Sequence, residues 1–306
     1  MNTNSLEEER KNAEAGKPSA QFNIGLAYML GDAGLDKDLN EAVLWFKKAA
    51  KQDYFRAYDL LGFLYEKTKD WQKSFDSYQM AADNDIPEAE CHLAEIYYYG
   101  NPKIKKDFKK AFLLFTKAAS RILGGGKNHA RAQHLLGHMY MSGEGTEQNF
   151  EQGFTWFKRS IAMGEVTGYV GGEYSIGMAY KNGLGVTPDL DEAFKWLEKA
   201  ANKNYAEAQL EISIFYQKGL GSIAIDLDTS FNWLVKTAEN GHYIAQRILG
   251  HHYRLGSEQA KQDGDIALIW LERAAIQGDL EAIEWTGELY LKEKNFQKCS
   301  IYAQYC

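Results

Sequence analysis

The chain has 306 residues, 45% of them hydrophobic and 25% charged, and its formal net charge is −7. This composition is typical of a folded globular chain, and the acidic balance argues against nucleic acid as a partner, because phosphate backbones attract basic surfaces. No apolar stretch approaches the roughly 20 residues of a membrane-spanning helix, and three glutamates lie where a secretion signal needs basic and apolar residues. We therefore expect a cytoplasmic protein with no membrane insertion.

One spacing recurs eight times along the chain, a small residue followed three positions later by tyrosine. The small residues are Gly25, Gly62, Ala94, Gly137, Gly177, Ser213, Gly250 and Gly287. The tyrosines are Tyr28, Tyr65, Tyr97, Tyr140, Tyr180, Tyr216, Tyr253 and Tyr290. Self-similarity at about this period indicates a repeat protein built from small helical units.

A second block follows each tyrosine and opens with Asp or Asn. These residues are Asp38, Asp70, Asp107, Asn149, Asp189, Asp226, Asp263 and Asn295. A small residue comes four positions later, and in five repeats a tryptophan follows after three more, which is the spacing of one helix face. Asp and Asn are favoured helix N-caps, and the tryptophans and tyrosines are expected to fill the space between helices. Each repeat is thus predicted as helix A, a turn and helix B.

The turn between the two helices contains glycine in most repeats. Gly31, Gly143, Gly183, Gly219 and Gly256 lie where helix A should end, a position that favours left-handed backbone. Residues 1–16 are predicted to form an N-terminal cap segment, and residues 17–306 a single array of eight repeats, the last truncated. Two insertions, Ser120–His129 and Met163–Gly172, are predicted to be long loops after helices B.

The strings Ile24–Gly34 and Asp38–Ala50, with their counterparts in repeat 5, resemble the Sel-one-like repeat family, a relative of the tetratricopeptide repeats. Repeats 2 and 8 depart from the family pattern because they lack the glycine turn. The resemblance implies an all-α solenoid, a curved superhelix of helix pairs whose concave surface binds partner proteins.

The concave surface should carry the groove stripe, which we define as the helix A positions six before, three before, one after and four after the small residue. Apolar, aromatic and basic side chains recur there, and aromatics and arginine are enriched in interface cores. The predicted partner-binding residues are Phe63, Tyr98, His134, His138, Tyr174, Met178, Arg247, His251 and Arg254. The alternative is that tight curvature buries part of the stripe between neighbouring A helices.

Catalytic and metal sites find little support in the sequence. No metalloprotease, nucleophile-elbow or paired Cys-x-x-Cys motif occurs, so we expect no enzyme and no cofactor. Cys91, Glu95, His134 and His138 occupy matching positions of adjacent repeats, where they could bind zinc in principle. A polar patch without metal is the favoured interpretation of these four residues.

The functional expectation is a non-catalytic adaptor or scaffold that binds a partner protein or peptide in the concave groove. The alternative is an immunity protein that neutralises a cognate toxin by direct binding. The acidic charge would suit a basic toxin or effector, since complementary fields speed encounter.

Overall fold

The structure, a computed structural model, describes residues 3–32, 34–120, 127–167 and 169–292. Within these ranges the chain forms sixteen α-helices and no strand. The helices are α1 (Thr3–Glu14), α2 (Pro18–Leu30), α3 (Leu39–Ala50), α4 (Arg56–Lys67), α5 (Trp71–Asp83), α6 (Pro87–Tyr99), α7 (Phe108–Ser120), α8 (Lys127–Ser142), α9 (Phe150–Thr167), α10 (Gly171–Asn182), α11 (Leu190–Asn202), α12 (Ala206–Lys218), α13 (Leu227–Glu239), α14 (Tyr243–Leu255), α15 (Gly264–Ile276) and α16 (Leu280–Lys292).

The helices fall into two compact units, Met1–Thr167 with α1 to α9 and Gly168–Cys306 with α10 to α16. In each unit every helix packs against the next along the chain, and even-numbered helices are the A helices of the repeats. The eighth B helix, with its predicted cap Asn295, lies outside the described residues. None of the described helices combines the length and apolar character needed to cross a bilayer.

The predicted N-caps are confirmed in all seven B helices that the structure describes. Each capping Asp or Asn side chain accepts backbone N–H groups of the first turn, as Asp38 does from Asn40 and Glu41. The backbone N–H of the same cap donates to the carbonyl of the repeat tyrosine at 2.7–3.0 Å, as from Asp38 to Tyr28. The two sequence blocks of a repeat are therefore joined by one hydrogen bond, from the N-cap of helix B to the tyrosine of helix A.

The small residue of helix A lets an aromatic or leucine side chain of helix B approach the backbone. A Cβ on Gly25, Gly62 or Gly137 would lie 2.6 Å from the ring of Phe46, Tyr78 or Phe157 respectively. In repeats 5 and 7 a leucine takes the same place, with Leu197 against Gly177 and Leu271 against Gly250. These contacts form the centre of each repeat's core.

The tryptophans pack against the cores between helices, as expected, and the residue after each one fills the space next to the small residue of helix A. Trp45 is buried, whereas the other four are only half-buried. A cation three residues later covers each indole ring, from Lys48 over Trp45 at 3.7 Å to Lys199 over Trp196 at 5.3 Å. One helical turn separates the partners, so the pairing is local to helix B.

A polar side chain four residues before the small residue joins neighbouring repeats, and we call this contact the repeat lock. In repeat 6 the Gln209 amide donates to the Ala201 carbonyl of the preceding B helix at 3.1 Å and accepts from Asn240 at 2.9 Å. Gln21 and Gln246 make the same two contacts in repeats 1 and 7. Buried Glu90 and Glu173 replace glutamine in repeats 3 and 5, where Lys117 and the pair Lys199 and Lys203 neutralise them.

Substitution of Gln209 by alanine should lower the free energy of unfolding by about 1–3 kcal/mol, because it removes the two hydrogen bonds that the buried Gln209 amide makes to Ala201 and Asn240. Gln217→Ala on the same helix is the matched control, since Gln217 is exposed. Urea unfolding of both variants checks this expectation. Equal stability of the two variants would contradict a structural role for the lock.

Both predicted long loops are shorter than expected. Helix α9 continues to Thr167 and α10 begins at Gly171, so most of Met163–Gly172 is helical. Helix α8 begins at Lys127, and residues 121–126 of the other predicted loop lie outside the described residues. No proline interrupts residues 163–167, so the backbone hydrogen bonds of α9 can continue through them.

Candidate functional site

The groove stripe of the first unit carries exposed and half-buried aromatic side chains. Phe63 on α4 is 37% exposed, and the Lys67 ammonium lies 5.2 Å from its ring centroid. Tyr98 on α6 packs edge-on against Tyr99, Phe108 and Phe115, with centroids 4.9–6.4 Å apart. Burial, together with the nearby charge of Glu144, raises the pKa of Tyr98, so its hydroxyl stays protonated.

His134 and His138 lie together on α8, with their Nε2 atoms 3.1 Å apart and the Phe157 ring against both. Burial lowers the pKa of His138, and burial raises the pKa of the Cys91 thiol, which keeps it protonated. Glu95 instead forms an ion pair with Arg131, Oε1 to Nε 2.9 Å. The described residues contain no group of three side chains arranged to hold a metal ion.

A polar cleft of about 220 Å³ opens beside these residues in the first unit. Its walls come from α4, the start of α5, α6, the turn after α6 and the start of α8. The lining residues are Glu66, Trp71, Ser74, His92, Glu95, Ile96, Tyr99, Gly100, Asn101 and Arg131. Glu66, Glu95 and Arg131 occupy the A helix face that points to neighbouring A helices, so the cleft lies along the groove stripe.

An ion pair between α4 and α6 supports the floor of this cleft. His92 Nδ1 lies 2.9 Å from Asp59 Oδ1, and the Tyr78 ring packs 4.8 Å from the imidazole. Burial opposes a charge on His92, but the hydrogen bond and negative charge of Asp59, with Glu95 and Glu66, outweigh it and raise the pKa of His92.

The raised pKa predicts a pH-dependent contribution to stability. Because the folded pKa of His92 exceeds its unfolded value of about 6.5, the contribution is full below that pH and is lost as pH rises through the folded pKa. The stability difference between the wild type and His92→Gln should therefore shrink between pH 6 and pH 9. His252→Gln is the control of opposite sign, since burial lowers the pKa of His252. A difference for His92→Gln that stays constant across this range would contradict the assignment.

In the second unit, Tyr174 and Met178 on α10 are half-buried and pack against the core of repeats 5 and 6. The Tyr174 ring lies 5.2 Å from that of Tyr205. Burial, with the charges of Glu211 and Glu207, raises the pKa of Tyr174 to about 12. These two stripe residues thus present part of their surface outward and part to the next repeat.

Three stripe residues of α14, Arg247, His251 and Arg254, contact α16 in a cluster of cations, acids and one indole. Arg247 pairs with Asp279, Nε to Oδ2 3.1 Å, and with Glu281. Arg254 pairs with Glu288 at 2.7 Å and lies over the Trp285 ring at 4.7 Å. His251 packs 4.8 Å from the same ring, and burial, with the charges of Arg254 and Arg247, lowers its pKa.

A second, shallow cleft, of about 70 Å³, lies between α12, α13 and α14. Its apolar wall includes the half-buried stripe residues Leu210 and Ile214, together with Phe231 and Ile248, and Gln217 and Gln259 stand at its edge. None of the predicted binding residues lines it. The sequence shows apolar residues at positions 210 and 214, but only the packing of α13 and α14 against α12 shows that these residues border a cleft.

Together, the paired helices, the locks between repeats and the two clefts define an α-helical repeat scaffold. The Sel1 repeat model matches residues 18–54, 87–121, 130–165, 171–205, 206–242 and 244–279, and the chain belongs to this family. Repeats 2 and 8, which lack the glycine turn, fall outside these matches. The predicted family and all-α repeat fold are therefore confirmed.

Solved and curated relatives agree with this assignment. The crystal structure of a Sel1 repeat protein from Oxalobacter formigenes is 30% identical and has a TM-score of 0.69, over 93% of this chain and 79% of that chain. The ERAD-associated E3 ubiquitin-protein ligase component HRD3B of Arabidopsis thaliana is 34% identical over 104 residues, 32% of this chain and 16% of that protein. Chitin synthase regulatory factor 3 of Schizosaccharomyces pombe is 28% identical over 166 residues, 51% of this chain and 17% of that protein. The chain thus spans less than a fifth of the length of either curated relative.

Proposed function

We propose that this chain is a non-catalytic adaptor or scaffold whose A helices bind a partner protein along the groove stripe. Sel1 repeat proteins are in general protein-interaction scaffolds. The observation that carries the proposal is the apolar cleft of the second unit. Leu210 and Ile214 are half-exposed there, whereas Ile212 and Phe215 on the other face of the same helix are buried in the core. An apolar side chain of a partner would gain stability by entering this cleft, because burial removes its surface from water.

The contact residues that we propose are those of the groove stripe. They are Phe63, Tyr98, His134, His138, Tyr174, Met178, Arg247, His251 and Arg254, with Leu210 and Ile214 added from the apolar cleft. Arg247 and Arg254 already neutralise acids of α16, so a partner would meet them as ion pairs beside Trp285 rather than as bare cations.

Photocrosslinking tests where the partner binds. A photoreactive amino acid at Gln217, at the edge of the apolar cleft, should crosslink the partner, whereas the same group at exposed Glu239 on α13 should not. Ile214→Lys should abolish the crosslink from position 217 without lowering the free energy of unfolding by more than about 1 kcal/mol, since Ile214 is half-exposed. A crosslink from Glu239 alone would move the site away from the stripe.

A charge swap separates binding from folding at Arg254. Arg254→Glu alone should destabilise α14 and α16, since it places two carboxylates where Arg254 and Glu288 now pair. The double variant Arg254→Glu/Glu288→Arg keeps an ion pair and should regain stability. If Arg254 contacts the partner, affinity stays low in the swapped protein, whereas full recovery of affinity would assign Arg254 a structural role only.

The net charge of −7 favours a basic partner, and this observation supports the second candidate, an immunity protein that binds a basic toxin or effector. The two candidates use the same surface and differ in the partner. Protection of cells that express the crosslinked partner would select the immunity role. A partner without toxicity would select the adaptor role.

A further inference from the structure

The polar cleft of the first unit contains a carboxylate that no cation among the described residues of the cleft pairs with. Its lining acids are Glu66 and Glu95, and its lining cations are His92 and Arg131. His92 lies against Asp59 and Arg131 against Glu95, each at 2.9 Å, so these cations are paired within the protein. Glu66 accepts only the neutral Tyr78 hydroxyl, at 3.3 Å, among the contacts of the described residues.

A buried hydroxyl on the cleft wall points to a ligand independently of the charges. Ser74 lines the cleft and is 1% exposed, and its Oγ has no hydrogen-bond partner among the described residues. A buried polar atom without a partner costs about 1–3 kcal/mol. An N–H donor entering from the cleft would remove that cost.

The remaining walls suit a flat cation. Trp71 and Tyr99 line the cleft, and aromatic faces attract a guanidinium within about 6 Å. An anion would meet the Glu66 carboxylate unfavourably, because His92 and Arg131 are already paired with Asp59 and Glu95.

We propose that this cleft binds a guanidinium group, the side chain of an arginine on a basic partner protein, with Glu66 as its counter-ion and Ser74 Oγ as a further acceptor. The guanidinium presents five N–H donors in a rigid fork, which allows a paired contact to the Glu66 carboxylate while another N–H reaches Ser74. That the guanidinium belongs to a partner protein rests on the proposed function, but the affinity of the cleft for a guanidinium can be measured without any partner.

Calorimetric titration of the full chain with N-acetyl-arginine amide tests the proposal, with the uncharged isostere N-acetyl-citrulline amide as the comparison ligand. Wild type should bind the arginine compound and not the citrulline compound. Glu66→Gln should weaken binding roughly tenfold and Ser74→Ala about threefold, the sizes expected for a charged and a neutral hydrogen bond. Glu239→Gln, an exposed acid on α13, should leave affinity unchanged.

Three results would each overturn the proposal. They are absence of arginine binding by a folded wild type, equal binding of the citrulline compound, and undiminished binding by Glu66→Gln. Tighter binding of free arginine than of the capped amide would overturn the assignment to a protein side chain, since a partner offers no α-amino or α-carboxyl group there. Thermal melting of Glu66→Gln guards against misfolding, and Glu66 is exposed, so the melting temperature should not change.

Failure of this proposal and failure of the proposed function give different results. A missing arginine site would leave the crosslink from Gln217 in the second unit intact. A missing crosslink with intact arginine binding would reject the partner surface and keep the guanidinium site.

Discussion

Replacement of Gly145 by alanine is expected to lower the free energy of unfolding by about 3 kcal/mol. Gly145 has a φ of +76°, and a Cβ there would lie 2.2 Å from the Phe108 carbonyl oxygen. The oxygen belongs to the backbone and a Cβ has a fixed position on its own backbone, so no side-chain rotation relieves the contact, and the turn of repeat 4 would have to move away from the start of α7. Urea unfolding followed by hydrogen exchange of the α7 and α8 amides would measure the loss and locate it.

Gly34→Ala separates the two causes of this effect. Gly34 also lies four residues before its N-cap and has a φ of +84°, but among the described residues no atom beyond its chain neighbours lies within 4 Å of the position of its Cβ. This control should cost only about 1 kcal/mol, the expense of left-handed backbone at a residue with a side chain. Equal losses in the two variants would show that the close approach to Phe108 does not matter.

The second large effect is expected for Phe46→Ala, which should cost about 3–5 kcal/mol. Phe46 is 0% exposed and its ring fills the space that Gly25 leaves open. Gly25 cannot fill the resulting cavity, because it has no side chain. Leu44→Ala, on the same helix but 51% exposed, should change stability by less than about 1 kcal/mol, and unfolding of the two variants in parallel checks the difference.

A loss below about 1 kcal/mol for Phe46→Ala would mean that α2 and α3 move together to close the cavity. Hydrogen exchange would then show altered protection in both helices. The absence of such changes, with a small loss, would contradict the packing of Phe46 against Gly25.

The fold could be predicted because its signals are local. A capping Asp, a turn glycine and the three- and four-residue spacing each act within one helix or one turn, so Asp38, Gly31 and Ala42 predict their repeat without knowledge of the rest. The same argument explains the overestimate of the loop at residues 163–172. The loop was predicted because residues 163–172 lengthen the link between two repeats, but helix α9 extends through Gly164 to Thr167, and a single glycine is tolerated inside a helix.

The surfaces could not be predicted because they depend on pairs that are distant in sequence. Arg254 and Glu288 are 34 residues apart, and Asp59 and His92 are 33 apart, so their pairing requires the packing of successive A helices. Ser74 became informative only when its missing hydrogen-bond partner was known. The sequence could have indicated the position of the repeat lock, since glutamine recurs four residues before the small residue. These glutamines are Gln21, Gln133, Gln209 and Gln246.

The repeat lock also limits how such chains can be recombined. A unit with glutamine at the lock needs only a backbone carbonyl before it and an amide at the end of its own helix B, so repeats 1, 6 and 7 could exchange neighbours. A unit with Glu173 must carry Lys199 or Lys203 along with it, since its buried carboxylate would otherwise remain unneutralised. Chimeras that join repeats between α11 and α12 would therefore keep Glu173 together with its lysines. A junction between α10 and α11 would separate Glu173 from the lysines that neutralise it.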